Sequence, residues 1–348
     1  MAARAPTPRR SGGVPLNDVG EPNTVAERLT ELVAGIATER GSPAIARQVV
    51  VTHKPGQRAA LLLELVEPVV LAGSDGRLVD HVYAKVFSEA DRGARSMQTL
   101  QLLWDHTRGS EASFGLPQPL AFSPDPSILV LGAVPGRALA EVAVGEAHWD
   151  AVGRWMARLH LSQPPLPRRY DLDGEVLTLR RWSNEVSATQ APAALVHRYE
   201  ALIDRAVAMA TSIDLTQPMI GVIHRDLHQE HLIIDGLDRV AAVDLEEARL
   251  GDPHVDLGHL YAHLTLADVP DHSITRVFEA WSAAADRCIE DTPLRLATAL
   301  ACLKIARQRT TGFGVAPRPI GDDRWPVAMS ALDLAASALR GDTTGPLP

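Results

Sequence analysis

Three aspartates within residues 223–257, Asp226, Asp244 and Asp256, have a spacing that suits phosphoryl-transfer chemistry. Asp226 lies in a polar loop, and Asp244 ends a strand-turn-strand pattern that doubles the chain back toward that loop. Phosphoryl transfer requires a carboxylate that orients the attacking hydroxyl, oxygen ligands for Mg²⁺ and a cation on the nucleotide phosphates. The stretch therefore predicts a site in which Asp226 acts on the hydroxyl and Asp244 binds Mg²⁺.

The motifs in this stretch resemble those of the protein-kinase-like superfamily, in its aminoglycoside phosphotransferase and choline kinase branch. They are His224-Arg225-Asp226, the strand-end Asp244 and the run Gly251-Asp252-Pro253-His254-Val255-Asp256-Leu257. The resemblance implies that Asp226 orients and deprotonates an acceptor hydroxyl, with His224 and Arg225 beside it. It also implies that Asp256 supports the backbone of the catalytic loop.

Two residues depart from the pattern of that branch. His231 stands where the family has the asparagine that serves as second metal ligand, so it either holds that ligand position or donates a hydrogen bond to a phosphate. Arg225 stands where the branch has glycine, and it could pair with Glu246, Glu247 or a phosphate. Arginine at this position favours a peptide-like acceptor.

A zinc site is an alternative reading of the same segment. His224, His228 and His231 lie close to Asp226 in sequence, and His254, His259 and His263 follow. The first three histidines span a loop and a strand rather than one helix face, and no His-Glu-x-x-His motif occurs, so the pattern favours phosphotransfer.

Strand patterns dominate the N-terminal part, after a first helix predicted over residues 24–40. Strands are predicted over 48–53, 58–66, 81–87, 117–122 and 128–134. The resembled family covers the nucleotide with the first hairpin, so Lys54, Gly56 and Arg58 are candidate phosphate contacts. The backbone near Leu131 and Ala133 is the candidate contact for adenine.

Lys85, on the third predicted strand, is the candidate cation for the nucleotide phosphates. It stands between apolar and aromatic neighbours and resembles the family's strand-three lysine. The helix predicted over residues 90–106 has no glutamate at the expected position, so Glu89 or Asp91 is the expected partner of Lys85.

Helical periodicity dominates the C-terminal part. Helices are predicted over residues 145–161, 254–267, 273–289, 293–309 and 325–339. The predicted fold is α+β and bilobal, protein-kinase-like, with a small β-rich N-lobe and a larger helical C-lobe. The predicted division is a disordered tail (1–22), a nucleotide-binding N-lobe (23–134), a C-lobe with the catalytic loop and acceptor pocket (135–340) and a second tail (341–348).

Composition narrows the class of protein. The chain has 348 residues, 46% of them hydrophobic, which is enough for two lobes. A net charge of −9 argues against nucleic-acid binding, and no segment approaches a membrane span. Two cysteines imply no disulfide framework, and the first residues lack the apolar region of a secretory signal, so a cytoplasmic location is expected.

The predicted function is ATP- or GTP-dependent, Mg²⁺-dependent transfer of phosphate to a hydroxyl of a small metabolite or antibiotic, in biosynthesis or resistance. One alternative is phosphorylation of Ser or Thr in a peptide of a natural-product pathway. Another is a kinase-shaped protein that binds a nucleotide or peptide without turnover, because the helix glutamate is missing and His231 replaces asparagine.

Overall fold

The computed structural model describes residues 22–36, 38, 43–54, 57–72, 76, 78–107, 115–213, 219–311 and 324–342. The chain forms two compact units: unit 1 comprises Met1–Asp105 and Pro117–Val134, and unit 2 comprises His106–Leu116 and Pro135–Pro348. Residues 1–21 and 343–348, in the predicted tails, and Gly56 lie outside the described residues.

Unit 1 is built around one antiparallel sheet of five strands in the order β1-β2-β3-β5-β4. Its elements are α1 (Pro22–Ala34), β1 (Ile45–Lys54), β2 (Arg58–Val70), β3 (Leu78–Phe87), α2 (Ala90–Thr107), β4 (Pro119–Pro124) and β5 (Ser127–Gly132). Side chains of β2 alternate between buried and half-buried from Arg58 to Leu65, as expected for a strand with one face on a core. The buried face packs with apolar side chains of α1, including Leu29 and Val33.

Unit 2 is mainly helical, with short strands that carry the loops of interest. Its elements are β6 (Arg137–Ala138), α3 (Glu146–Leu161), α4 (Leu172–Ser187), α5 (Ala193–Ser212), β7 (Gly221–Ile223), β8 (Leu232–Asp235), β9 (Arg239–Ala242), β10 (Arg249–Gly251), α6 (His254–Leu266), α7 (Asp271–Ala285), α8 (Asp291–Thr311) and α9 (Arg324–Arg340). Strands β6, β8 and β9 form one small sheet, and β7 pairs with β10.

Close helix packing fixes the frame of unit 2. A Cβ added to Gly258 of α6 would lie 2.5 Å from Thr298 N of α8, and one added to Gly153 of α3 would lie 2.3 Å from Val277 O of α7. Only glycine permits these approaches. The side chains around α8 form the larger apolar core, which includes Tyr199 of α5.

Three features of the elements differ from the sequence prediction, and one of them is that helix α7 ends at Ala285 rather than at residue 289. Helix α1 ends at Ala34 rather than at residue 40, because the chain turns at Gly35. Helices α4 and α5 were not predicted, although both show apolar residues at helical spacing. No helix in the described ranges is long and apolar enough to cross a membrane.

Candidate active site

The loop that carries Asp226 is held by the buried carboxylate of Asp256, at the start of α6. Asp256 accepts hydrogen bonds from the backbone N–H groups of His224 (2.6 Å) and Arg225 (2.7 Å). Its other contact is His160 Nε2 at 3.2 Å, and Trp281 Nε1–H donates to His160 Nδ1 at 2.9 Å. Burial would raise the pKa of Asp256, but the hydrogen bond from His160 and the nearby His224 lower it overall.

Asp226 is paired with Lys304 from α8. Lys304 Nζ donates to Asp226 Oδ1 at 2.8 Å and to the carbonyl oxygen of Arg225 at 3.3 Å. Burial favours a raised pKa for Asp226, but Lys304, His259 and His231 outweigh it and hold the pKa far below its usual value. The Asp226 side chain remains 42% exposed, so an ionised carboxylate is open to an acceptor hydroxyl.

Backbone strain coincides with two of the candidate residues. Arg225 has φ 72° and Asp244 has φ 68°, both in the left-handed region that non-glycine residues rarely occupy. Such conformations cost about 1–3 kcal/mol each and persist where surrounding contacts enforce them. Here the Asp256 carboxylate supplies one such contact to the Arg225 backbone.

His224 connects the catalytic loop to the segment before Asp244. Its Nε2–H donates to Val243 O at 2.8 Å, and its Nδ1 accepts the backbone N–H of Asp226 at 3.4 Å. Both ring nitrogens are therefore engaged within the chain, which suits a positioning role. The catalytic role proposed for His224 stays a prediction.

His231 and Asp244, the two proposed metal ligands, lie side by side. His231 Nδ1–H donates to Asp226 O at 2.8 Å, and its Nε2 lies 3.6 Å from Asp244 Oδ2. Burial lowers the pKa of His231 to about 4, so the ring is neutral near pH 7. A neutral imidazole whose other nitrogen bonds a backbone carbonyl is the arrangement found in metal-binding histidines. The donor set fits a divalent cation.

Three more histidines of the zinc alternative, His228, His259 and His263, form a row of imidazoles with His231, whereas His254 contacts Asp252. Ring centroids are 3.8 Å apart for His228 and His231, 4.8 Å for His228 and His263, and 5.9 Å for His259 and His263. Burial lowers the pKa of His228 and of His263 to about 3.

A second possible donor set overlaps this row. Ligand atoms of Asp226, His228 and His231 lie within 4.8 Å of one another. The Lys304 ammonium already contacts the Asp226 carboxylate, and His228 Nδ1 accepts the Glu230 N–H at 3.3 Å. Both contacts compete with a metal ion at this set, so the pair formed by His231 and Asp244 fits better.

Arg225 contacts a residue that the sequence did not suggest. Its Nη2 lies 3.6 Å from Glu175 Oε2 of α4, and its guanidinium lies 5.8 Å from the ring centroid of Tyr170. Among the described residues, the ion pair found for Arg225 is with Glu175 rather than with Glu246 or Glu247, and the alternative of a phosphate partner stays a prediction.

The candidate nucleotide contacts lie in unit 1, away in sequence from the catalytic loop. Lys85 is half-buried on β3, opposite Ala60 of β2 and Leu129 of β5. Lys54 ends β1 and pairs in register with Arg58. Leu131 lies in β5, and Ala133 follows that strand. The roles of these residues in nucleotide binding stay predictions.

Sequence reasoning missed Lys304, Glu175 and His160. Lys304 did carry a signal, because it interrupts the apolar run Ala299–Ile305 of a helix and lysine is rarely placed in such surroundings. Glu175 and His160 carry no comparable signal, since each owes its role to a partner far away in the sequence.

A cavity of about 560 Å³ lies within unit 2 beside the catalytic loop. Helices α4, α6 and α8 form most of its wall, and Arg225 and Lys304 reach it from the loop side. This volume falls in the range of small-molecule binding sites.

Comparison with protein families identifies the class. Residues 72–291 match the phosphotransferase enzyme family, so the chain belongs to that family. The protein is therefore a phosphotransferase (kinase) with an alcohol group as acceptor, as the sequence predicted. No curated protein matches the chain.

Solved structures agree on the fold. Similar ones include choline kinase LicA from Streptococcus pneumoniae (TM-score 0.65, 13% identity, 90% of this chain and 98% of that chain). Another is amicoumacin kinase hAmiN in complex with AMP-PNP, Ca²⁺ and Ami (TM-score 0.63, 12% identity, 96% and 97%). A third is spectinomycin phosphotransferase APH(9)-Ia with ADP and spectinomycin (TM-score 0.58, 13% identity, 90% and 98%). The predicted α+β protein-kinase-like fold is confirmed.

Proposed function

We propose that the protein transfers the γ-phosphate of ATP or GTP to a hydroxyl of a small metabolite or antibiotic. The observation that carries this proposal is the ionised, accessible Asp226 carboxylate in a loop held by Asp256. Similar structures that contain ADP or AMP-PNP support the use of a nucleotide. The cavity volume of about 560 Å³ favours a small acceptor over a peptide segment.

In the proposed reaction, Asp226 accepts a hydrogen bond from the acceptor hydroxyl and aligns its oxygen with the γ-phosphorus. The new oxygen–phosphorus bond forms as the bond to the β-phosphate oxygen breaks, and the nucleoside diphosphate leaves. The hydroxyl proton passes to Asp226 and then to water. A carboxylate with a strongly lowered pKa is a weak base, which suits a loose transition state that needs orientation more than early deprotonation.

Asp244 and His231 would hold Mg²⁺, and Lys85 would contact the nucleotide phosphates, with Lys54, Gly56 and Arg58 as further candidates. Bound Mg²⁺ supplies charge neutralisation on phosphate oxygens. Because Mg²⁺ prefers oxygen ligands, the imidazole of His231 is expected to weaken the site.

Nucleotide calorimetry with and without Mg²⁺ tests this assignment. Asp244→Ala should abolish the Mg²⁺-dependent part of binding, and His231→Asn should lower the Mg²⁺ concentration that is needed.

The role of Asp226 is tested by the Asp226→Asn variant. We expect phosphotransfer to fall by about 10²- to 10⁴-fold because the neutral amide no longer accepts the hydroxyl proton. Nucleotide binding should persist. The matched control is Asp235→Asn, at the end of β8, where the carboxylate lies 3.1 Å from Arg239 Nη2. Full activity of Asp226→Asn toward an identified acceptor would refute the assigned role, and nucleotide binding without turnover in the wild type would favour the non-enzymatic alternative.

A further inference from the structure

The residues that line the cavity in unit 2 fall into two chemical groups. One group is apolar and comes mainly from α8 and α4, with Leu296, Leu300 and Trp182 among its residues. The other group, the charged wall, includes Arg225, from the catalytic loop, and Arg249, from β10. A ligand that fills this space meets both apolar and charged side chains.

Carboxylates on the charged wall are largely engaged by local contacts. Asp171 caps α4 by accepting the N–H groups of Asp173 (3.2 Å) and Gly174 (3.0 Å). Asp252 accepts the N–H of His254 at 2.9 Å and contacts the ring of the same residue at 2.6 Å. These two carboxylates therefore offer little to a cationic ligand.

The arginines, by contrast, outnumber the carboxylates that remain. Glu175 pairs with Arg225 at 3.6 Å. Glu247 is divided between Arg168 at 3.0 Å and Arg249 at 3.8 Å. Within the described part of the chain, the ion pairs found for the Arg168, Arg225 and Arg249 side chains go to two carboxylates, those of Glu175 and Glu247. Burial lowers the pKa of Arg249, and the like charges of Arg225 and Arg168 lower it further, which agrees with an excess of positive charge.

Hydrogen-bond donors at this wall also lack acceptors. Within the described residues, the buried Nε–H groups of Arg225 and Arg249 have no hydrogen-bond partner, and neither has Nδ1 of His259. His259 is only 6% exposed and lines the same cavity. An unsatisfied buried donor is unfavourable, so an acceptor that reached either arginine Nε–H group would be stabilising.

We propose that this cavity binds the phosphoryl acceptor, and that the acceptor is an alcohol with an oxyanion group, a carboxylate or a phosphate, held by Arg225 and Arg249. Arginine forks match the geometry of both oxyanions. Lys304 lines the cavity and contacts Asp226, so it marks the end at which the hydroxyl would lie. The identity of the bound group as an acceptor rests on the proposed function, whereas the preference for anions does not.

The test uses four probes with the same hydroxymethyl-phenyl body. They are 4-(hydroxymethyl)benzoate, 4-(hydroxymethyl)phenyl phosphate, 4-(hydroxymethyl)benzamide and 4-(aminomethyl)benzyl alcohol. Binding is measured by calorimetry on the full chain saturated with a non-hydrolysable ATP analogue, so that the phosphate probe does not enter the nucleotide site. We expect at least one anion to bind about tenfold or more tightly than the neutral and cationic probes, as charge-assisted hydrogen bonds would provide.

Arg249 is the informative position for variants because it lies outside the catalytic loop. Arg249→Met should remove the preference for the anions, and Arg249→Lys should retain part of it. The matched control is Arg198→Met, which removes a guanidinium that pairs with Asp333 and does not line the cavity. Unchanged melting temperatures of the free variants exclude unfolding as the cause.

The outcomes separate this inference from the proposed function. Equal or weaker binding of both anions relative to the neutral probe overturns the inference, as does a preference that survives Arg249→Met, or a failure of both anions to bind. Stronger binding of the benzoate than of the phosphate identifies a carboxylate acceptor, and the reverse identifies a phosphate. An anion preference without any phosphorylation of the hydroxymethyl group supports the binding site and counts against the phosphotransfer proposal alone.

Discussion

Asp226 and Lys304 form the pair on which the chemistry of unit 2 depends. The carboxylate is ionised because a lysine from α8, far along the chain, donates to it at 2.8 Å. Without the Lys304 ammonium, the negative charge of Asp226 would be poorly compensated, because the group is buried and imidazoles surround it. In the proposed reaction Lys304 is therefore a positioning residue for Asp226, and its ammonium would also neutralise charge next to the acceptor hydroxyl.

Replacement of Lys304 by Met is expected to change the pH profile as well as the rate. Burial, no longer opposed by Lys304, should raise the pKa of Asp226, so the acid limb of the kcat–pH profile should move toward neutral pH. Phosphotransfer rates across pH check this shift. Lys304→Arg, which keeps the charge, should retain most of the wild-type profile. A Met variant with slower transfer but an unshifted acid limb would reduce Lys304 to a structural role.

For single residues, the sequence predicted which side chains belong to the site better than it predicted the contacts that they make. Asp226, Asp244, His231 and His224 do lie together in unit 2, because the loop before β8 and the segment after β9 lie at the same end of that antiparallel pair. The partner of Arg225 was not predictable, since Glu175 lies 50 positions earlier in the chain, on a helix that the sequence did not predict. Residue types alone do not encode such a contact.

Among the helices, α6 and α8 determine the positions of the side chains in the candidate active site. Helix α6 carries Asp256 and His259, and α8 carries Lys304. The two helices approach closely at Gly258, where an added Cβ would lie 2.5 Å from Thr298 N and 2.6 Å from Ala297 C. Backbone atoms cannot move aside as a side chain can, so the separation of these helices is fixed by the glycine.

Gly258→Ala is expected to force α6 and α8 apart. Overpacking of this kind costs about 1–3 kcal/mol, and the shift should also weaken the contact between Lys304 and Asp226. Chemical denaturation measures the loss of stability. Gly145→Ala serves as a control without a clash, because the nearest atom to its added Cβ is 3.9 Å away, and its only expected cost is the less favourable N-cap of α3. Equal stability of the two variants would show that the helices are not constrained at Gly258.

Sequence periodicity predicted α6 and α8 but not which side of α8 meets the site. Helix α8 is buried on nearly all sides, so the usual contrast between an apolar and a polar face is absent. Helix α4 does show that contrast, with Leu172, Val176 and Leu179 at helical spacing, yet its importance comes from Glu175, whose partner is distant in sequence. The side of α8 that faces the site and the partner of Glu175 on α4 are both determined by tertiary packing rather than by the sequence pattern.

For the molecule as a whole, buried neutral histidines connect the site to global stability. His228, His231 and His263 have folded-state pKa values of about 3 to 4 because of burial. In the unfolded chain they titrate near pH 6.5. Between these values the unfolded state binds more protons, so the free energy of unfolding must decrease as the pH falls.

We expect stability to be greatest above about pH 6.5 and to be lost steadily down to about pH 4, by at most about 1.4 kcal/mol per pH unit for each histidine. Because the sequence pI is about 5.8, the net charge vanishes inside this window, and urea titration at low protein concentration is preferable to heating.

His263→Asn should flatten the pH dependence, whereas His272→Asn, at an exposed position of α7, should not. The lowered pKa of Asp226 adds a further loss only at more acidic pH, since a carboxylate titrates near pH 3.9 when unfolded. A free energy of unfolding that stays constant from about pH 7 to about pH 5 would contradict the neutral, buried state of the histidine row.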